Sequence, residues 1–449
     1  MKGFLMEKFD EIVIGAGPGG VAAASRLQSA GHKVMIVENN LYGGTCPNFG
    51  CDPKKMLYAA VETRQRARQM TGFGVQSAPE INWPELMEFK RGYTRAIPGG
   101  TEEGLKHSGV KTVHGTARFT AEHTIMVGDE SYQATNFVIA TGHRPAILDI
   151  PGKEYFMTST DFLDLDCLPD ELIFVGGGFV SFELANIAHQ AGATVHLIHH
   201  NERPLKRFDE EEVQQLVELM RDSGIDVQLN ASPTEIRKVG NQFEVVLADG
   251  RSITADQVYA GTGRVANIEA LDLAKANVEF SRRGVHVDQY LQTTNEHVFA
   301  IGDVTDLNIP KLTPIAGYMS RYLVAHILGK SSVPFALPVV PEITFSTTEL
   351  AQVGVTTDAA KADSKHYQVK DLDVTGWYSY NRTKEQVARV KVVIDCTNNL
   401  VVGAAVLSST AEDLINQFMW LIDQHITHKE LLNKVFAYPS VASDLQYFA

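Results

Sequence analysis

The sequence predicts an α/β protein with two doubly wound dinucleotide-binding domains and a third, α+β domain at the C-terminus. Three observations carry that reading. A strand–glycine turn–helix–strand pattern occurs twice. The 449 residues suit about three domains at roughly 150 residues each. The stretch beyond residue 337 has strand and helix patterns but no such turn.

Composition narrows the class. With 44% hydrophobic and 21% charged residues, the chain is neither disordered, collagen-like nor coiled-coil. The formal charge is −14, with no Lys/Arg run to offset it, so no nucleic-acid partner is expected. No apolar stretch approaches the roughly 20 residues of a membrane span, so no membrane partner is expected either. The segment from Met1 to Lys8 runs straight into Ile12-Val13-Ile14 without a signal-like core. Four cysteines are too few for a secreted disulfide scaffold, which points to the cytoplasm.

The first pattern runs from Asp10–Ile14 into Gly15-Ala16-Gly17-Pro18-Gly19-Gly20 and on through Val21–Leu27 to Val34–Val37. Gly15, Gly17 and Gly20 form a GxGxxG fingerprint, so a pyrophosphate can sit on the helix N-terminus. Glu38, ending the second strand, is placed to accept hydrogen bonds from ribose hydroxyls. The second pattern runs from Leu172–Val175 into Gly176-Gly177-Gly178-Phe179, then Phe182–Ala185 and Thr194–Ile198. Here His199 stands where Glu38 stands in the first, with His200, Arg203, Lys206 and Arg207 around it. That basic cluster favours a 2′-phosphate and hence NADPH, with NADH as the alternative. A solvated basic loop is the rival reading, and Glu202 weakens the cluster. Further on, Phe345–Gly354 and Val390–Val406 read as alternating strands, and Ala411–Asp423 as an amphipathic helix.

The segment Gly43-Gly44-Thr45-Cys46-Pro47-Asn48-Phe49-Gly50-Cys51-Asp52-Pro53-Lys54-Lys55 carries the chemistry. Five ideal helical steps separate Cα atoms by about 7.5 Å, beyond the usual disulfide range of about 4.4–6.8 Å. A bond between Cys46 and Cys51 therefore needs a distorted turn, which Gly50 permits. Pro53 suits the first turn of a following helix, and Cys51 near that N-terminus would favour a thiolate. Zinc wants four ligands, and Cys167 and Cys396 are remote, so they read as buried bystanders and no metal site is expected. Two idle cysteines remain the alternative to a working pair.

Together with Ala140-Thr141-Gly142, Gly261-Thr262-Gly263-Arg264 and Ala300-Ile301-Gly302-Asp303, these motifs resemble, in order, those of the pyridine nucleotide–disulfide oxidoreductases. The chain resembles the group containing glutathione reductase, dihydrolipoamide dehydrogenase and mercuric reductase. The resemblance implies an FAD-binding domain at 1–146 and 267–336, an NAD(P)H-binding domain at 147–266 and a C-terminal dimerisation domain at 337–449 of a homodimer. Gly15, Gly17, Gly20, Glu38, Thr45, Thr141, Gly142, Asp303 and Thr313 would serve FAD. Gly176, Gly178, Phe179, His199 and Lys206 would serve the nicotinamide nucleotide, and Gly263 and Arg264 would complete the cofactor sites. Cys51 would be the thiol against the flavin and Cys46 the thiol that meets substrate. Lys54 and Glu183 match an ion pair near the flavin N5. The implied activity is NAD(P)H-driven reduction of a small-molecule disulfide.

The chain departs from that pattern at its end. Where the disulfide-reducing members carry His-Pro-Thr-x-x-Glu, this chain has Tyr438 at the His position and Ser443 at the Glu position, with Asp444 one residue on. A phenol with a pKa of about 10 is a poor proton shuttle near neutrality. Ser25 replaces a glutathione-binding arginine, although Arg321 matches another. Asp52 stands where the family has an apolar residue and should raise the Cys51 pKa. A non-disulfide acceptor, such as a metal ion or quinone, therefore stays open.

Overall fold

Ile12, Val13 and Ile14 close a strand, Glu7–Ile14, whose C-terminal half is buried on both faces, as befits the middle of a parallel sheet. The computed structural model describes residues 7–448 and divides the chain into two units. The first comprises Met1–Lys55, Glu88–Ala146 and Arg264–Leu337. Its sheet runs in the order Lys111–His114, Val34–Glu38, Glu7–Ile14, Glu130–Ile139, Thr124–Val127, Ala117–Ala121. Val298–Ala300 adds in parallel to Glu130–Ile139.

The opening strand thus has parallel neighbours on both sides, Ile14 facing Val37 and Ile139. That is the switch point where doubly wound sheets open a crevice beyond their strand ends. The helix Pro18–Ser29 starts there, with Pro at the position where a missing N–H costs least. It packs on the helix Thr313–Ile327, and a Cβ at Gly19 would stand 3.4 Å from the Ala316 methyl. Beneath lies a core of Ile12, Met35, Val37, Phe137 and Phe119, the last two rings 5.1 Å apart edge to face. Each such side chain contributes about 1.5–3 kcal/mol by leaving water.

The second unit comprises Met56–Met87, Ile147–Gly263 and Pro338–Ala449. It holds a parallel sheet in the order Asp226–Gln228, Thr194–Ile198, Glu171–Val175, Gln257–Ala260, Phe156–Met157. It also holds an antiparallel sheet in the order Glu342–Thr344, Glu349–Gly354, Leu400–Ser408, Arg389–Asp395, Tyr367–Asp373. The helix Ala411–Asp423 is amphipathic as expected, laying Leu414, Ile415, Phe418 and Leu421 on that second sheet.

Two expectations need correction. The C-terminal strands do not alternate buried with exposed: Val390 through Ile394 are all buried. Val390, Val392 and Ile394 join the core under Ala411–Asp423, while Lys391 turns the other way to the start of the helix Glu210–Ser223. Both faces are covered, so the periodicity is masked. Cys167 and Cys396 are exposed rather than buried, because both lie in connections flanking strands. Among the described residues no helix is long and apolar enough to cross a membrane.

Candidate active site

In the first unit two glycine loops meet backbone to backbone. Gly15 follows the opening strand, and Gly17 is the N-cap of Pro18–Ser29. Gly44 sits at φ +67°, and a Cβ there would lie 2.5 Å from the Gly17 Cα, so its loop could not approach Gly17 with a side chain at that position. The contact leaves a bare cradle of N–H groups at a helix N-terminus, where the dipole favours an anion. Gly20 packs under the Gly15 carbonyl.

Glu38 ends its strand buried, one oxygen accepting the Ala16 N–H at 2.7 Å and the other the Asn40 N–H at 2.8 Å. The Thr141 hydroxyl, beside Gly142, is buried with no protein partner among the described residues. Asp303 lies in the short turn Gly302–Val304; burial pushes its carboxyl up, while Arg264 and Lys311 pull against that shift. Arg264 is fixed by a hydrogen bond to the His143 carbonyl at 2.5 Å. A side-chain-free cradle, an orphaned hydroxyl and a buried acid flanked by cations fit a dinucleotide.

The second glycine turn follows Glu171–Val175 in the second unit. Gly176 opens it, Gly178 caps the helix Phe179–Gln190, and Phe179 is half exposed at the first helical position. Glu183 lies buried in that helix and accepts the Phe345 N–H at 2.8 Å. Gly263 closes the neighbouring loop at φ +104°. His199 lies flat against Gly177, where a Cβ would come 2.6 Å from the ring.

The basic cluster read from the sequence is smaller than expected. Burial, then the neighbouring His200, lowers the His199 pKa, so its ring is neutral near pH 7; both its nitrogens are buried without partners among the described residues. Arg203 is tied to Glu210 and to Asp358, the latter at 2.5 Å, and Arg207 to Glu342 at 2.9 Å. Lys206 is exposed.

The sulfur pair lies where two helices abut. Thr45–Phe49 forms a short helix, Gly50 breaks it at φ −139°, ψ −115°, and Cys51 opens the long helix Cys51–Gln69. Asn48 locks the loop by donating to the carbonyls of Tyr42 (3.1 Å) and Gly44 (2.9 Å). The distorted turn at Gly50 brings Cys46 and Cys51 into mutual hydrogen bonding as unbonded thiols. Cys51 Sγ also lies 3.6 Å from the Thr313 hydroxyl.

These contacts split the two acidities. The Cys51 thiol is lowered to about 6, chiefly by the hydrogen bond from Cys46, with help from Thr313 and the Lys54 charge. Asp52 does oppose this, but the expected net rise is overturned because those favourable contacts outweigh it. Cys46 moves strongly up, through its bond to Cys51, burial, and the charges of Cys51 and Asp52. Such a pair holds its proton on Cys46 and its negative charge on Cys51. Lys54 is buried in the same first turn.

Asp52 turns its carboxylate towards Cys46: Oδ1 is 3.8 Å from that sulfur, and Oδ2 accepts the Tyr93 hydroxyl at 2.7 Å. Tyr93 ends the helix Trp83–Thr94 and belongs to no motif. Lys311, beside Asp303, was equally silent in the sequence.

Tyr438, in the second unit, is 77% exposed. Ser443 does not reach it but donates to the Ser440 carbonyl at 2.6 Å within its own turn. Asp444 is buried and tucked inward against Ser379, and burial raises its carboxyl.

Residues 9–320 match the family model described as pyridine nucleotide-disulphide oxidoreductase, and residues 340–448 match its dimerisation domain. A glutathione reductase of Burkholderia cepacia is 30% identical over 438 residues, spanning 97% of each chain. A mercuric reductase of Staphylococcus aureus is 30% identical over 453 residues, covering 98% of this chain and 82% of that protein. Among solved structures, the Cu(II) complex of the HOCl-induced flavoprotein disulfide reductase RclA from Escherichia coli superimposes with a TM-score of 0.88 at 25% identity. That likeness covers 97% of this chain and 98% of that one.

Proposed function

Because the chain belongs to the pyridine nucleotide-disulphide oxidoreductases, an FAD-dependent class of oxidoreductases using NAD(P)H, we propose that it reduces a small-molecule disulfide through a Cys46–Cys51 redox pair. Bound FAD would supply the hydride acceptor for the nicotinamide and the two-electron relay to sulfur. The observation that carries this reading is the split acidity of the two thiols: one is already a thiolate near pH 7, the other a protonated nucleophile-in-waiting.

In this reading residues 1–146 and 267–336 hold FAD, 147–266 the nicotinamide nucleotide, and 337–449 pair with a second copy in a cytoplasmic homodimer. The Gly15–Gly20 turn and Gly44 would take the diphosphate, and Glu38 the adenosine ribose. Thr45, Thr141, Gly142, Arg264 and Asp303 would bind the remaining polar groups of FAD. Thr313 and Lys54 would hold the Cys51 thiolate in place. Gly176, Gly178 and Gly263 would seat the nicotinamide nucleotide, Phe179 would cover its ring and Glu183 would brace that helix. Lys206 remains as an exposed cation for a 2′-phosphate, with no acid at His199 to repel one, so NADPH is the proposed donor.

A second reading has a specific observation behind it. Tyr438 stands where the disulfide-reducing members carry a histidine, a phenol is a weaker acid than an imidazolium, and the similar RclA forms a Cu(II) complex. A metal-ion acceptor needs no general acid.

The test is reduction of the purified protein by NADPH and by NADH, followed by a panel of acceptors. Glutathione disulfide and small cyclic disulfides are expected to reoxidise it; Cu(II), Hg(II) and quinones form the competing arm. A long-wavelength thiolate–flavin absorbance should develop on reduction and disappear in Cys51→Ser. Reoxidation by metal ions or quinones with none by disulfides would replace the first reading with the second.

A further inference from the structure

Disulfide reduction by a protonated thiol needs a group that takes the proton from the attacking sulfur and returns it to the departing one. Tyr438 is a weak candidate by its chemistry, Ser443 is engaged within its own turn, and Asp444 is buried against Ser379. We propose that Asp52, held in place by Tyr93, is the proton carrier for Cys46. The inference rests on the disulfide reading above.

Geometry singles this carboxylate out. Among the described residues the groups bonded to the Cys46 sulfur are Cys51, Thr313 and Asp52. Cys51 is needed as the second redox sulfur and Thr313 does not titrate in the working range. Asp52 Oδ1 lies 3.8 Å from the Cys46 sulfur, within reach of an S–H donor. Its other oxygen is engaged by the Tyr93 hydroxyl at 2.7 Å, which fixes the carboxylate plane and leaves Oδ1 facing sulfur. The bond to Asp52 raises the Tyr93 pKa, so the phenol stays a donor throughout. Both side chains keep some exposure, Tyr93 being 41% exposed, so protons can exchange with water between turnovers.

The step balances as follows. Asp52 accepts the Cys46 proton as that sulfur attacks the substrate disulfide; a mixed disulfide forms, and the first substrate sulfur leaves as a thiolate. The carboxylic acid of Asp52 protonates that leaving group. The Cys51 thiolate then attacks Cys46, closing the protein disulfide and expelling the second substrate thiolate, which takes a proton from water. The dithiol loses two electrons and the substrate gains them.

The test uses the flavin-loaded enzyme, pre-reduced with NADPH and mixed with the disulfide that best reoxidises the parent. Asp52→Asn should slow reoxidation about 100-fold at pH 7, in the range typical of a lost general acid–base. The deficit should shrink towards pH 9 as hydroxide takes over removal of the Cys46 proton. Tyr93→Phe should show the same pH trend with a loss of about tenfold or less. In Asp52→Ala, added acetate should restore the rate in proportion to its concentration. Retained flavin and the thiolate–flavin absorbance show that the variants are folded. A parent inert to every disulfide would overturn both this inference and the acceptor reading. A parent that responds, with Asp52→Asn equally fast or slowed by the same factor at all pH values, would overturn this inference alone.

Discussion

Cys51 sets the pH behaviour of the reduced protein. Its pKa is lowered to about 6, so the thiolate is the main species above that pH and is protonated as pH falls through it. The long-wavelength absorbance of the reduced enzyme should therefore be full at pH 8 and fade with a midpoint near 6, as a spectrophotometric titration would show. Gly44 makes a second residue-scale prediction. A methyl at that position would meet the Gly17 Cα at 2.5 Å on a backbone of positive φ. Gly44→Ala should weaken FAD binding at least about tenfold, equivalent to about 1.4 kcal/mol, read as flavin lost on gel filtration. The glycines and the thiol pair were legible because short-range spacing defines them. Tyr93 was not: only the folded chain brings the end of the Trp83–Thr94 helix to Asp52, and no local pattern encodes that meeting. The sign of the Cys51 shift was missed because it turns chiefly on the hydrogen bond from Cys46, which spacing alone does not reveal, with Thr313 adding to it from far along the chain.

At the scale of elements, the strand Arg389–Asp395 and the helix Glu210–Ser223 are joined by a buried charge cluster. Lys391, fully buried, meets Asp209 at 2.8 Å and Glu211 at 2.6 Å, with Glu212 at 3.5 Å. Asp209 is also the N-cap, accepting the Glu212 N–H at 2.9 Å. Removing the cation would strand buried carboxylates, so Lys391→Met should cost about 3–5 kcal/mol in denaturant unfolding. Glu212 is pushed up to about 7 by burial, against the pull of Lys391 and Arg389 and with Asp209 and Asp371 adding to the rise. Its folded pKa lies above the ordinary 4.5, so its contribution is fully present below 4.5 and is lost as pH rises through 7. Glu212→Gln should accordingly raise the melting temperature relative to the parent more at pH 8 than at pH 5. That a strand lies here was legible, although the expected alternation is absent. Its two-sided burial was not, because a lysine in a strand ordinarily marks the solvent face.

For the whole molecule, the C-terminal domain leaves Trp420 57%, Leu432 53% and Val435 fully exposed in the single chain. An apolar surface of that kind on a matched dimerisation domain suits a second copy. Sedimentation should show a species of twice 49.3 kDa, and Trp420→Glu should shift it towards monomer with loss of turnover. The solvent-facing positions of Cys167 and Cys396, unremarkable for catalysis, have a practical outcome. With Cys46 and Cys51 as the redox pair proposed above, a maleimide label would find Cys167 and Cys396 in every oxidation state, and Cys46 and Cys51 only after electrons arrive. Tagged mass on the intact polypeptide would thus step from two adducts to four, giving an optical-probe-free gauge of how full the enzyme is.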